Sequence, residues 1–492
     1  MQSTGRHVLS LCSKGAAAMG VDGCVIGDFS REGLSPVLDG ATGDALCEVK
    51  NMSASDFQSK TKIRPLLIAE AANPEWTSVP LVGWNLSRAI MRRTNALLVT
   101  QVRNQDALLR AGLIPGQDFI AIDNEKTARL IHRFGELVRG GRNKGWTVVT
   151  ALSSLAYYSF EREVWRVLGD RLIAGEFDLV HRITPLSPTN QSLIATKLKR
   201  HGIPFMLGPL NGGLPWPEGF QDVRGKEREW LSIIRKAYHL LPYYKSTRMN
   251  AAAIVAGSRH TMSELPKSCE NKTFFIPENA ADPERFPFRR RELIDNTLRI
   301  AFIGRLVPYK GADMLLEAIS RYQGKLNIEL LIIGDGPQRP ELEDTVRQKK
   351  LENAVRFAGW VEQRGLSDVL SSHHVLALPS VREFGGGVVL EAMSMGLVPI
   401  VANYGGPSEL IDEKSGIAVN FQSRETLIDG FVQVFKFFER EPERVALLSD
   451  GAARHVRERY TWEAKAKQIN DIYEWILSGH RRPDLTHASD KD

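Results

Sequence analysis

Apolar residues fall along this chain in short blocks, separated by longer stretches with helical spacing. The first firm block is Pro65-Leu-Leu-Ile-Ala69, followed by a long loop holding Asn73, Glu75, Trp76 and Val82-Gly83-Trp84. Helical spacing resumes at Asn85. Leu97-Leu-Val-Thr100 reads as a second strand, and Arg103 to Gly112 as a helix stopped by its glycine. Phe177-Asp-Leu-Val-His181 reads as a strand ending in histidine, and Ile254-Val-Ala256 closes this run. Trp146 to Phe160, the nearest approach to a membrane span, is broken by Thr and Ser and reads as a buried strand and helix start. It falls short of the roughly 18 apolar residues a span needs.

A second run of the same alternation begins at Leu298-Arg-Ile-Ala-Phe-Ile303. Strands alternating with helices predict doubly wound parallel sheets, with ligands beyond the carboxyl ends of the strands. Two runs predict two such domains, over 61–270 and 271–460, with Phe274-Phe-Ile-Pro-Glu278-Asn279 at the junction. Thr461 to Leu477 places Trp462, Ile469, Ile472, Tyr473 and Ile476 at helical spacing, so 461–478 is expected to be an amphipathic helix. Residues 1–60 are rich in Gly, Ser, Ala and Asp with little periodicity and read as an extension of uncertain order. Residues 479–492 read as a frayed polar tail.

The chemistry gathers in Val381 to Met395. His374-Val-Leu-Ala-Leu-Pro379 is a buried strand stopped by proline, then come Glu383, Phe384 and three glycines, Gly385, Gly386 and Gly387. Val388 to Met395, with Glu391, has helix-forming composition. Strand, glycine turn and helix present backbone N–H groups at a helix N-terminus with no side chain in the way, which suits a bound phosphate. Two carboxylates flanking that turn are acceptors for hydroxyl-rich ligands.

The Glu-x7-Glu spacing with its Phe-Gly pair resembles the signature of glycosyltransferase family 4, retaining enzymes of the GT-B architecture. Ile303-Gly304-Arg305-Leu306-Val307-Pro308-Tyr309-Lys310-Gly311 is similar to that family's diphosphate-binding segment. Ile332-Ile333-Gly334-Asp335-Gly336-Pro337, Phe357-Ala358-Gly359-Trp360-Val361 and Ala402-Asn403-Tyr404-Gly405-Gly406-Pro407-Ser408-Glu409 follow in the family's order. The resemblance implies two Rossmann-like doubly wound domains facing a central cleft, with the final helix crossing back to the first domain. It implies transfer of a sugar, with retention, from a nucleotide diphosphate sugar to a hydroxyl acceptor, without a metal or other cofactor.

By the same resemblance the donor side comprises Gly304, Arg305, Lys310, Gly359, Trp360, Val361, Glu383, Phe384, Gly385, Gly386, Gly387, Val388 and Glu391. Arg305 and Lys310 would neutralise the diphosphate, Glu383 contact the sugar and Glu391 accept from the ribose hydroxyls. Asn279 and Asp282 resemble the family's junction motif, with Ala280 where glycine is usual. In the first domain His181 stands either as a cleft residue with a catalytic part or as a structural histidine. Asn211, Gly212 and Gly213 occupy a position where many relatives carry a second histidine, and Gly83 resembles the glycine turn near donor phosphates and acceptor. A non-catalytic nucleotide-sugar-binding protein, or an epimerase or hydrolase of the same architecture, is the alternative.

Composition adds three constraints. With 492 residues, 43% hydrophobic and 25% charged, the chain has the makeup of a soluble protein with room for two cores. Its cysteines, Cys12, Cys24, Cys47 and Cys269, are spaced for neither a disulfide framework nor a zinc site. A formal net charge of +6 is unevenly spread: residues 61–270 carry +11, among them Arg88, Arg92, Arg93, Arg139, Arg142, Lys144, Lys197, Lys199 and Arg200. That bias suits an anionic acceptor or membrane face, and no nucleic-acid-binding motif accompanies it. The expectation is a cytoplasmic enzyme of bacterial polysaccharide or glycoconjugate synthesis, peripheral on the inner face of the membrane, acting on a glycan or lipid-linked acceptor.

Overall fold

The computed structural model describes residues 62–125, 146–217, 219–220, 239 and 241–485, and these fall in one compact unit. The extension before residue 62 with its three cysteines, the basic residues Arg139, Arg142 and Lys144, and the tail after 485 lie outside the described residues.

Strands β1 (Pro65–Ala69), β2 (Leu97–Gln101), β3 (Phe119–Ile122), β4 (Leu179–Thr184), β5 (Phe205–Leu210), β6 (Ala253–Ala256) and β7 (Thr273–Phe275) make one sheet, in the order β3-β2-β1-β4-β5-β6-β7. Every pairing in it is parallel. Strands β8 (Thr297–Ile303), β9 (Asn327–Ile333), β10 (Val355–Gly359), β11 (Val375–Leu378), β12 (Val398–Ala402) and β13 (Ile417–Val419) make a second parallel sheet, ordered β10-β9-β8-β11-β12-β13. Near-continuous apolar strands fit sheets covered on both faces: β1, β2, β4, β5, β6, β11 and β12 are buried at every position. These are two Rossmann-like domains. The strand order reverses between β1 and β4 in the first and between β8 and β11 in the second, so a crevice opens above each of those pairs.

The structure revises four local readings. Trp146 to Phe160 contains no strand; it opens a 28-residue helix, Trp146–Ile173. From Tyr157 onward that helix buries Phe160, Val164, Leu168 and Leu172 against the first sheet at helical spacing, and this packing overrides the β-branched residues at its start. The helix expected at Asn85 begins earlier, as Val79–Arg93, with Pro80 in the first turn where its missing N–H costs nothing. Strand β4 runs through His181 to Thr184. Strand β7 pairs with β6, so the first sheet extends to Phe275, past the boundary read at 270.

The final helix, Trp462–Ser478, returns to the first domain. It buries Ala466, Ile469, Ile472 and Tyr473 in the core that holds Leu67, Leu179 and helix 79–93. The chain after it follows that surface: Arg482 donates to the Thr273 carbonyl at 2.6 Å and lies over the Phe274 ring, and Leu485 packs on the same core. Among the described residues no helix is long and apolar enough to cross a membrane.

Candidate active site

A cavity of about 590 Å3 lies between the two sheets. Its second-domain wall comes from the loops after β8, β9, β10 and β11; its first-domain wall comes from Pro74 to Asn85, and Asn279 to Phe286 with Trp462 close one end. The chain therefore puts its cavity at the carboxyl ends of the strands, as a doubly wound sheet dictates.

The loops after β8 and β11 flank the reversal point of the second sheet. Lys310, on the first, donates to Glu383 on the second. Both side chains are mostly buried, and both line the cavity. Arg305, on the same loop as Lys310, is exposed on the cavity wall with no carboxylate in ion-pair range among the described residues. One cation of this wall is thus charge-balanced, and the other leaves it a net positive charge facing the cavity.

The glycine turn is built as its sequence requires. Gly386 has φ +66 and caps the helix Gly387–Ser394, whose first residues, Gly387 and Val388, line the cavity. A Cβ on Gly385 would stand 2.3 Å from both Asn279 Nδ2 and Glu278 Oε1, so the junction segment sits directly against the turn. One turn into that helix Glu391 receives a hydrogen bond from Gln363. Burial pushes the Glu391 carboxyl up to about 7, against the opposing pull of that hydrogen bond and of Arg285.

Of the remaining expected donor residues, Gly304, Trp360, Val361, Gly387 and Val388 line the cavity. Trp360 is 79% exposed, a flat apolar face at the cavity rim. Gly359 has φ +69 and its carbonyl accepts from Gly334 N at 2.8 Å, which fixes the turn carrying Trp360. Phe384 and Gly385 lie behind the lining, and the Phe384 carbonyl accepts from Asn211 Nδ2 at 3.0 Å.

The first-domain expectations fare differently. His181 is fully buried, its Nδ1 2.6 Å from the Tyr473 hydroxyl and its Nε2 2.7 Å from the Gly208 carbonyl, and it does not line the cavity. Burial pulls its pKa down to about 4. Both its nitrogens are thus occupied, by the core and by the crossing helix, which is the arrangement of the structural alternative. Gly83 is no phosphate turn either. It sits inside helix 79–93, where a Cβ would stand 2.1 Å from the Ala71 carbonyl oxygen, so its role is close packing of helix on sheet. Asn211 spends its amide on the Glu278 carboxylate, at 2.8 Å to each oxygen, and on Phe384, while Gly212 and Gly213 turn the chain at positive φ. These three do not line the cavity.

Sequence reading missed Thr77, Ser78, Arg285 and Gln363, all of which line it. Ser78, at φ 63, precedes helix 79–93 in the place expected of Gly83. Nothing in its residue type signals that. Arg285 had a usable signal, three residues beyond Asp282 of the junction motif.

Residues 297–436 match the family Glycosyl transferases group 1. The second sheet domain is a group 1 glycosyltransferase domain. An uncharacterized glycosyltransferase of Methanocaldococcus jannaschii is 32% identical over 198 residues, 40% of this chain and 50% of that protein. A D-inositol 3-phosphate glycosyltransferase of Streptomyces avermitilis is 29% identical over 278 residues, 54% of this chain and 56% of that protein. The chain thus spans about half the length of these curated relatives. Among solved structures, HepE of Anabaena in complex with UDP superposes with TM-score 0.52 at 15% identity, over 83% of this chain and 98% of that one. A Rickettsia africae glycosyltransferase gives 0.53 at 13%, over 85% and 100%. At that identity the likeness establishes the two-domain GT-B fold alone.

Proposed function

We propose that the protein is a retaining glycosyltransferase that moves a sugar from a nucleotide diphosphate sugar to a hydroxyl of a glycan or lipid-linked acceptor. The observation that carries this reading is the convergence, on one interdomain cavity, of Arg305, the Lys310–Glu383 pair, the Gly387 helix N-terminus and Glu391. Cations and amide N–H groups would hold the diphosphate, and Glu391 the ribose hydroxyls. Charge develops on the diphosphate as the glycosidic bond breaks, and fixed donors aimed at it would lower the barrier without a metal. Attack from the face the diphosphate leaves would let a departing phosphate oxygen take the acceptor proton, with retention of configuration.

The curated relatives support the substrate class. One is named for D-inositol 3-phosphate and another, from Corynebacterium glutamicum, for GDP-mannose-dependent transfer to a phosphatidylinositol monomannoside. Both names describe anionic, hydroxyl-bearing acceptors, in keeping with the positive first domain. A scan of thermal stability against nucleoside diphosphates and their sugar conjugates tests the reading. A true donor at 100 times its dissociation constant adds about 2.7 kcal/mol, and no shift with any of them would remove it. Release of the nucleoside diphosphate only when an acceptor is present separates transfer from the binding-protein and hydrolase alternatives.

The second part of the proposal is reversible contact with an anionic membrane. Arg92 and Arg93 close helix 79–93, and Lys197, Lys199 and Arg200 close helix Ile194–Arg200. Cations there also complement the carbonyl ends of each helix. Helix 79–93 starts at the cavity, so its last turn lies roughly 20 Å away at 1.5 Å per residue. Vesicle binding through these residues and sugar transfer in the cleft are therefore separable.

A further inference from the structure

The chain after β5 leaves the first domain and seats itself on the second. Phe220 is fully buried in the second domain's core, edge-on to Phe421 with ring centroids 5.5 Å apart. Gly219 lies so close that a Cβ would stand 2.5 Å from the Gln422 carbonyl oxygen. The Pro215 carbonyl accepts from the Tyr404 hydroxyl at 3.0 Å, and the Leu214 carbonyl from Arg382 Nε at 3.2 Å. At the start of the strap, Asn211 holds the Phe384 carbonyl.

Trp216 is where this strap meets the active site. Its ring stands edge-on to Tyr309, with centroids 6.4 Å apart and planes at 85°. The Arg382 guanidinium lies 5.0 Å from the centre of the Trp216 ring and 5.5 Å from that of Phe384. Tyr309 precedes Lys310; Arg382 and Phe384 bracket Glu383. One indole from the first domain thus touches the sequence neighbour of each member of the Lys310–Glu383 pair. The loops carrying that pair come from different strands and are joined at their base, where Val381 N donates to the Tyr309 carbonyl at 3.0 Å; beyond that bond the indole packs against both.

Resting on the transferase reading above, we propose that Trp216 is a positioning residue: it clamps the Tyr309-Lys310 and Arg382-Glu383-Phe384 segments so that the pair meets the sugar–phosphate linkage in register. Of the groups that would hold the nucleotide, Lys310 lies in the clamped segments, whereas Arg305, the helix amides and Glu391 lie outside them. Loss of the clamp is therefore felt far more in the chemical step than in nucleotide affinity.

The test compares Trp216→Ala, Trp216→Phe and Arg382→Leu in the full chain. A misplacement of about 1 Å costs on the order of 100-fold in turnover. Trp216→Ala and Arg382→Leu should lower kcat to about that degree while the calorimetric affinity for the nucleoside diphosphate stays within about threefold. Trp216→Phe, which keeps an aromatic face for Arg382 and an edge for Tyr309, should recover most of the rate. Unchanged kcat in Trp216→Ala, or a raised donor KM with kcat intact, overturns the proposal. So does a Phe variant as slow as the Ala variant. Should Trp216→Ala fail to fold, Arg382→Leu carries the same comparison. Wild-type turnover tests the transferase reading by itself. Independently of it, a crystal structure of Trp216→Ala, or of Arg382→Leu in its place, with the Lys310–Glu383 pair unmoved would overturn the clamp, and a displaced pair would support it.

Discussion

Lys310 donates to Glu383, 73 residues further along the chain, across the point where the strand order of the second sheet reverses. The pair is largely shielded from water, so each charge depends on the other. Removing Lys310 leaves Glu383 uncompensated beside an incoming diphosphate, adding repulsion to the lost attraction. Lys310→Ala and Arg305→Ala should each lower turnover by about two to three orders of magnitude with the thermal transition retained. Chelation by EDTA should leave the wild-type rate unchanged. Steady-state kinetics on purified variants check all three, and near wild-type activity in either variant removes the diphosphate assignment.

Glu391 governs the pH response. Burial raises its carboxyl to about 7, and accepting from both ribose hydroxyls through both oxygens requires the ionised form. Donor affinity should therefore fall by up to about tenfold per pH unit below 7, and Glu391→Gln should flatten that dependence. Stability runs the other way. The folded state holds a proton that the unfolded chain loses above about 4.5, so Glu391 contributes a loss of stability as pH rises from there to about 7. Calorimetric titration of donor and denaturant melts across this range read both slopes.

His181 should matter for folding and not for turnover. Its folded pKa, about 4, lies below the ordinary 6.5, so the unfolded chain takes up the proton first and stability is lost as pH falls from about 6.5 to about 4. His181→Gln should destabilise by about 1–3 kcal/mol through unmet partners at Tyr473 and Gly208, while kcat below the melting range stays near wild type. A large loss of kcat in folded protein would restore a catalytic part for this histidine.

For the membrane proposal, sedimentation with vesicles containing acidic phospholipid should show binding at low salt that fades as salt approaches and passes 0.1 M, where screening acts within roughly 10 Å. Replacing Arg92, Arg93, Lys199 and Arg200 by glutamine should weaken it and spare turnover on a soluble acceptor. Equal binding to neutral vesicles, or none to either kind, would end the proposal and leave the transfer reading intact.

Much of this architecture is legible in the sequence, because buried parallel strands write themselves as short apolar blocks: β1 and β8 begin and end within a residue of where Pro65–Ala69 and Leu298–Ile303 place them. Glu383 to Glu391 is legible for a related reason, since the positive-φ turn at Gly386 and a helix start after a strand demand particular residues, whereas Gly304 to Lys310 is legible through its family resemblance. First-domain residues are harder to read. His181 looks the same in sequence whether it faces a cleft or a core, and only the crossing helix, which brings Tyr473 from 292 residues away, decides it. Ser78 takes the place expected of Gly83 because close helix packing and a strained turn both follow from tertiary contact. The strap through Trp216 is invisible until the second domain is there to receive it.

In the proposed function this cavity transfers sugar from a nucleotide diphosphate donor. Release of nucleoside diphosphate from a panel of UDP- and GDP-sugars, with extracted lipids and glycans as acceptors, tests it most directly when wild type and Arg305→Ala are run side by side. Acceptor-dependent release with at least one donor is expected, lower by about 100-fold or more in the variant. Release from no donor, or equal release by Arg305→Ala, would contradict it.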